Sequence, residues 1–143
     1  MTTYYKILLP MKRKPGMSVQ AFRDYYENHH APFCAQFSAA VARYIRRYLE
    51  PNPHPETGPA PELPYDVITE LWFDNEPAFK ATLKYLTTSI MPDEVVADEK
   101  KLFDRSSFRI VTVVERETDL TPVRQAAAEA VSQTTSQTTS KSR

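Results

Sequence analysis

Glycine is almost missing: Gly16 and Gly58 are the only two in 143 residues. A phosphate-cradling P-loop and a GxGxxG dinucleotide fingerprint both need more, so neither is present. The single cysteine, Cys34, cannot form an intrachain disulfide and points to a reducing, cytoplasmic compartment. It also leaves a thiolate metal site short of ligands, and no HxxxH, HExxH or GxSxG spacing occurs, so no metal or nucleophilic-serine chemistry is expected. No apolar run approaches the roughly 18 residues of a membrane span. No apolar h-region follows Met1, so neither a transmembrane helix nor a secretory signal is expected. Charge of one sign is not in excess: 18 Lys and Arg balance 18 Asp and Glu. A balanced chain has no whole-molecule field to draw it to nucleic acid or an anionic membrane.

Proline is plentiful, and six of the twelve lie in residues 51–64, PNPHPETGPAPELP. That stretch continues neither strand nor helix and reads as a stiff loop. Residues 121–143 start alanine-rich, compatible with a short helix, and finish as Ser/Thr/Gln sequence with nothing to bury, expected to be partly disordered. The folded domain is therefore expected over residues 1–120. The balanced charge hides an asymmetry. Residues 1–50 are net +5, residues 51–104 net −7 and residues 105–143 net +2. The plain reading is a patchwork of solvated charge; the sharper one turns the basic part toward an anionic ligand.

The element pattern is βαββαβ with extra helical pieces. Tyr4–Lys14 reads as a strand, with Pro10 demoting its far end to an edge or bulge. Ser18 is an N-cap for a helix to about His29, whose apolar stripe is Val19, Phe22, Tyr25 and Tyr26. A second helical piece covers Ala31–Ala40. Residues 41–50 alternate, with Val41, Arg43, Ile45, Arg47 and Leu49 on one face and Tyr44, Arg46 and Tyr48 on the other. Tyr65–Phe73 is a third strand. A helix capped at Asp74-Asn75 runs through Leu86, a short helix runs from Pro92 to about Phe103, and Ser107–Arg116 is the last strand. The simplest solution is an α+β, ferredoxin-like sandwich with a four-stranded antiparallel sheet and helices on one face. The other face, with Val111 and Val113, would need a second copy to cover it, so a homodimer is expected.

Histidine, tyrosine, arginine and carboxylate remain to carry chemistry. His29 and His30 close the first helix; His30 lies on the apolar stripe, four residues after Tyr26, and His29 on its flank. A helix C-terminus favours the imidazolium and tunes it for proton transfer near neutrality, unless both simply cap the helix. His54, in the proline loop, is a solvated bystander. Phe22, Tyr26, Phe37, Tyr44, Tyr48 and Trp72 are either a packed core or the lining of a cavity for a flat ring system. Arg46, between two tyrosines, would need a charge partner in a dry core and would suit a carboxylate or phenolate ligand, as would Arg47. Asp98, Glu99 and Asp104 are candidate orienters for histidine or arginine.

The string KRKPGMSVQAFRDYYENHHAP at residues 12–32 closely resembles the opening motif of the EthD-domain family. The resemblance continues through Tyr44, the YDVITELWFDN strand, Phe79 and the Asp98 to Asp104 stretch. It implies a dimeric α+β barrel. Within the family, YYKILLPMKRKPG and RYIRRYLEP look most like fungal proteins of aromatic polyketide clusters, assigned as cofactor-free decarboxylases of atrochrysone-type carboxylic acids. By that resemblance His30 is the acid/base and Tyr44 the strand tyrosine. Tyr48 joins them as a catalytic candidate, while Phe22, Tyr26, Phe37, Arg46, Arg47, Trp72 and Asp104 would bind an aromatic polyketide. Many relatives carry an amide or histidine where this chain has Arg47 and Tyr48. The alternatives are a polyketide cyclase, dehydratase or isomerase using the same histidine, and a non-catalytic binder of an aromatic ligand.

Overall fold

The computed structural model describes residues 2–59 and 62–141. Ala60 and Pro61 of the proline loop and the last two residues of the tail lie outside the described residues. The chain divides into two compact units, residues 1–113 and 114–143.

The first unit is an antiparallel sheet in the order β2-β3-β1-β4, with a fifth short strand, β5, also pairing β1. Its strands are β1 (Tyr5–Arg13), β2 (Arg43–Tyr48), β3 (Val67–Phe73), β4 (Phe103–Asp104) and β5 (Val111–Thr112). The order is that of the ferredoxin-like α+β fold, with the last strand in two pieces. Helices α1 (Val19–Tyr25), α2 (Ala31–Ala35), α3 (Glu76–Thr88) and α4 (Asp93–Glu99) complete it. Tyr44, Arg46 and Tyr48 pair with Leu71, Thr69 and Val67, so the alternation of β2 places them on the same sheet face as the core. Phe22, Tyr26, Met11, Val67, Leu102 and Phe103 form that core.

The two helical pieces expected around His29 are one run. Ser18 caps α1 by accepting from the Ala21 amide at 3.1 Å. A π-helical turn, Tyr26–His30, then leads directly into α2, with the Ala31 amide donating to the Tyr26 carbonyl. Residues four apart drift by about 40° around an α-helix. The wider turn removes that drift and keeps Phe22, Tyr26 and His30 on one buried side.

The last strand is not the continuous Ser107–Arg116 expected, and α4 stops at Glu99 rather than Phe103. Lys12 faces Asp104, whereas Leu8 faces Val111, so the chain spends three extra residues between the two pairings. A 3-10 turn, Arg105–Ser107, takes them up. Asp104 caps it, accepting from the Ser106 amide at 3.1 Å. The Ser107 hydroxyl accepts from the Lys12 amide at 2.8 Å and donates to the Asp104 carbonyl at 2.6 Å, replacing a strand partner. Pro10 sits in a central strand, not at an edge. By alternation from Lys12 its nitrogen faces the gap between β4 and β5, where no amide is needed.

The proline loop is tied to β1. Lys12 Nζ meets Glu62 at 2.5 Å and the Leu63 carbonyl at 2.8 Å, and Arg13 meets Asp66 at 2.5 Å. The second unit holds one helix, α5 (Thr121–Lys141), which runs through both the alanine-rich part and the Ser/Thr/Gln stretch expected to be disordered. Thr134 and Thr135 donate their hydroxyls to the Ala130 and Val131 carbonyls at 3.0 and 3.1 Å, which accommodates threonine within a helix.

Candidate functional site

Between the core face of the sheet and the helices lies a cavity of about 520 Å³. The sheet contributes Leu9, Met11, Thr69, Leu71 and Tyr44. Tyr26, His30 and Cys34 come from the first helical run, and Leu86, Ser89, Ile90 and Met91 from the end of α3 and the loop after it. Val95 and Glu99 of α4 and the stretch around the 3-10 turn complete the wall. Most of the lining is apolar, and Ile90 at the mouth is 85% exposed.

His30 is the polar centre, only 5% exposed. Its Nδ1 lies 2.7 Å from Asp98 Oδ2, and the other oxygen of Asp98 accepts from the Tyr25 hydroxyl at 2.5 Å. Burial works to raise the Asp98 pKa, but the hydrogen bonds from Tyr25 and His30 outweigh it and hold the carboxyl below its ordinary range. An ionised Asp98 can only accept, so we assign the proton of neutral His30 to Nδ1. Burial lowers the His30 pKa more than Asp98 raises it. His30 is therefore neutral at neutral pH, with Nε2 unprotonated and 3.5 Å from Cys34 Sγ, and the residue lines the cavity. The expected imidazolium at a helix end is not found: the helical run continues to Ala35, so no free carbonyls stabilise the cation.

Beside it is a hydroxyl cluster. Tyr26 OH lies 2.5 Å from Thr69 Oγ1 and 3.2 Å from Tyr44 OH. Burial pushes the Tyr26 phenol up to about 12 and Tyr44 further in the same direction, so both stay protonated donors. Burial likewise pushes the Cys34 thiol up to about 12, which makes it a poor nucleophile. Glu99 is 6% exposed, and its pKa is raised by burial against the opposing pull of Arg105 at 3.7 Å. Among the described residues no group of three or more His, Cys, Asp and Glu side chains is placed to hold a metal ion.

Of the residues singled out in the sequence, His30, Tyr26, Tyr44 and Glu99 line the cavity, and the rest stand elsewhere. Tyr48 does not reach it: its hydroxyl donates to Glu27 at 2.5 Å. Phe22 is wholly buried in the core, edge-on to Tyr26, Tyr48 and Phe103. Phe37 is 52% exposed and packs on Phe33. Arg46 turns out of the core face to Glu27, at 3.0 and 2.7 Å, which supplies the partner an arginine between two tyrosines needs. Arg47 is on the opposite face, paired with Glu70. Trp72 is there too, donating to Glu70 at 2.9 Å with Lys6 and Arg43 over its ring. Asp104 caps the 3-10 turn. His29 is exposed and lies against Tyr25, and His54 bridges to Gly58 in the proline loop. The basic N-terminal part is largely neutralised internally, since Lys12, Arg13, Arg23, Arg46 and Arg47 all have carboxylate partners.

The sequence reading passed over Cys34, Arg105, Phe108 and Arg109. Cys34 was readable, four residues after His30 on one helical run. Phe108 and Arg109 lie in the expected last strand, which carries no turn signal strong enough to break it, and Arg105 lies just before that strand.

The EthD-domain model matches residues 14–106, about two thirds of the chain. The chain belongs to the EthD-domain family. No curated protein matches its sequence. Among solved structures, this EthD protein is similar to an ethyl tert-butyl ether D (EthD) family protein from Bacillus halodurans. The TM-score is 0.48 at 18% identity, over 78% of this chain and 99% of that one. It is similar to an EthD-like protein from Ralstonia eutropha, with TM-score 0.47 and 19% identity over 82% and 98% of the two chains. A dimeric protein of unknown function and ferredoxin-like fold from Bacteroides fragilis has TM-score 0.41 and 13% identity, over 78% and 96%.

Proposed function

We propose that this EthD-domain protein is a cofactor-free lyase that decarboxylates a polycyclic hydroxyaromatic carboxylic acid, of the atrochrysone type. The observation that carries the proposal is the neutral His30, oriented by Asp98, in the wall of a largely apolar cavity. A volume of about 520 Å³ is within the range of small-molecule sites and admits fused rings. The resemblance of the first two strands to polyketide-cluster decarboxylases supplies the substrate class.

The residues account for the chemistry in sequence. In its keto tautomer the substrate is a β-keto acid. His30 Nε2 takes the carboxyl proton, the bond from ring carbon to carboxyl carbon breaks, and carbon dioxide leaves. The electron pair moves into the neighbouring carbonyl, where the Tyr44 and Tyr26 hydroxyls stabilise the developing oxyanion. The imidazolium then returns the proton to the ring carbon. The depressed pKa makes it a ready donor. The apolar wall keeps the leaving carboxylate poorly hydrated.

A resting neutral base also favours a second reading, a cyclase, dehydratase or isomerase that removes a proton α to a carbonyl. Product mass separates them when purified protein is incubated with an anthrone-type carboxylic acid and no added cofactor. Loss of carbon dioxide supports the lyase. Loss of water or an unchanged mass with a new product supports the second reading. Binding with no product leaves a carrier protein and overturns both. A cytoplasmic homodimer belongs to the same proposal. The sheet face opposite the cavity bears Leu8, Ile45, Ile68 and Val111 beside the paired Arg47 and Glu70, a mixed face that a second copy would cover.

A further inference from the structure

We propose that Arg109, with Arg105 beside it, is an anion site at the cavity mouth that binds the carboxylate of the ligand. The inference rests on the aromatic-acid reading above and gives it the cation that Arg46 and Arg47 do not provide.

Three observations converge. Both arginines line the cavity, and both owe their position to the three extra residues that split the last strand. An unbroken Ser107–Arg116 strand would have no turn at 105–107 to carry them there. Arg109 is held without being neutralised: Nη1 donates to the Ser106 and Phe108 carbonyls at 3.1 and 2.8 Å. Among the described residues it has no carboxylate partner, unlike Arg13, Arg23, Arg46 and Arg47. Arg105 has only a loose contact, 3.7 Å to Glu99. The remaining guanidinium N–H groups of Arg109 form the flat donor fork that suits a carboxylate. The wall around this cation pair is aromatic and aliphatic, with Phe103, Phe108 and Ile110, and His30 lines the same cavity. A ligand matching both parts has a flat apolar body and one anionic end. Because Arg109 is exposed at the mouth, it is a positioning residue. It retains the acid without the tight, dry clamp that would stabilise the ground state against carbon dioxide loss.

The test compares binding of 1-hydroxy-2-naphthoic acid and 1-naphthol, which differ only in the carboxyl group, by calorimetric titration. The wild-type protein is expected to favour the acid by roughly ten- to a hundredfold, the scale of a charge-assisted hydrogen bond. Arg109→Gln is expected to bring the two ligands to within about twofold while the affinity for 1-naphthol holds. Arg105→Gln gives a smaller loss, Arg109→Lys a partial rescue, and raised salt weakens the wild-type preference. Equal affinities in the wild type, no binding of the acid, or a preference that survives the double Arg105→Gln/Arg109→Gln substitution each overturns the site. A protein that binds the acid selectively but forms no product leaves the site standing and removes only the lyase reading.

Discussion

Two opposing effects meet at His30. Burial disfavours its cation, Asp98 favours it, and burial wins. The same carboxylate fixes the tautomer, so Nε2 is the nitrogen left without a proton. His30→Ala is expected to lower turnover roughly 10²–10⁴-fold, the usual contribution of one general acid–base group. Steady-state kinetics on a variant with unchanged circular dichroism checks this, and unaltered turnover would exclude His30. Asp98→Asn removes the charge that holds the imidazole pKa up. The acidic limb of kcat/KM, expected below the ordinary histidine value of about 6.5, should then move to still lower pH. A limb that stays in place would show that Asp98 does not act on the titrating group. Both residues were visible in the sequence, His30 through its place on the helical stripe and Asp98 as an orienter. Their pairing across 68 positions was not. Arg46 misled for the same reason: its partner Glu27 comes from a different element.

At the scale of elements, two irregularities build the site. The π-helical turn keeps Tyr26 and His30 on the cavity side, and the break in the last strand brings Arg105, Phe108 and Arg109 to the mouth. The break depends on Ser107, whose hydroxyl stands in for a strand carbonyl opposite Lys12. Ser107→Ala leaves that amide without a partner and should cost about 1–3 kcal/mol. The shift of the urea midpoint at unchanged m-value measures it. A variant as stable as wild type would mean that water or a shifted backbone satisfies the amide. Regular elements were readable because periodicity and caps are local: Ser18 and Asn75 both cap where expected. A π turn has no local signature, and Ser107 signals nothing until Lys12 is opposite it.

The whole molecule sets assembly and pH response. If the outer sheet face pairs two copies, light scattering should give about twice 16.4 kDa, and Ile68→Lys, at its centre, should halve the mass. A monomeric wild type would refute the pairing. Native His30 binds its proton more weakly than the unfolded chain does. Above the ordinary histidine pKa both states are neutral there, and stability is at its full value. As pH falls through about 6.5 the unfolded chain protonates first, so stability declines until the native imidazole titrates as well. Denaturant melts across that range should show the decline in wild type and a flatter profile in His30→Gln; equal slopes would place the titration elsewhere.

The helix and strand pattern, the family motif over residues 12–32 and the histidine with its stripe follow from neighbours within a few turns of chain, so the sequence determined them alone. Which arginine and which tyrosine line the cavity and which charge His30 carries were decided only when the elements packed. Each depends on the partner that a distant segment brings within hydrogen-bond reach and on how much water that packing removes.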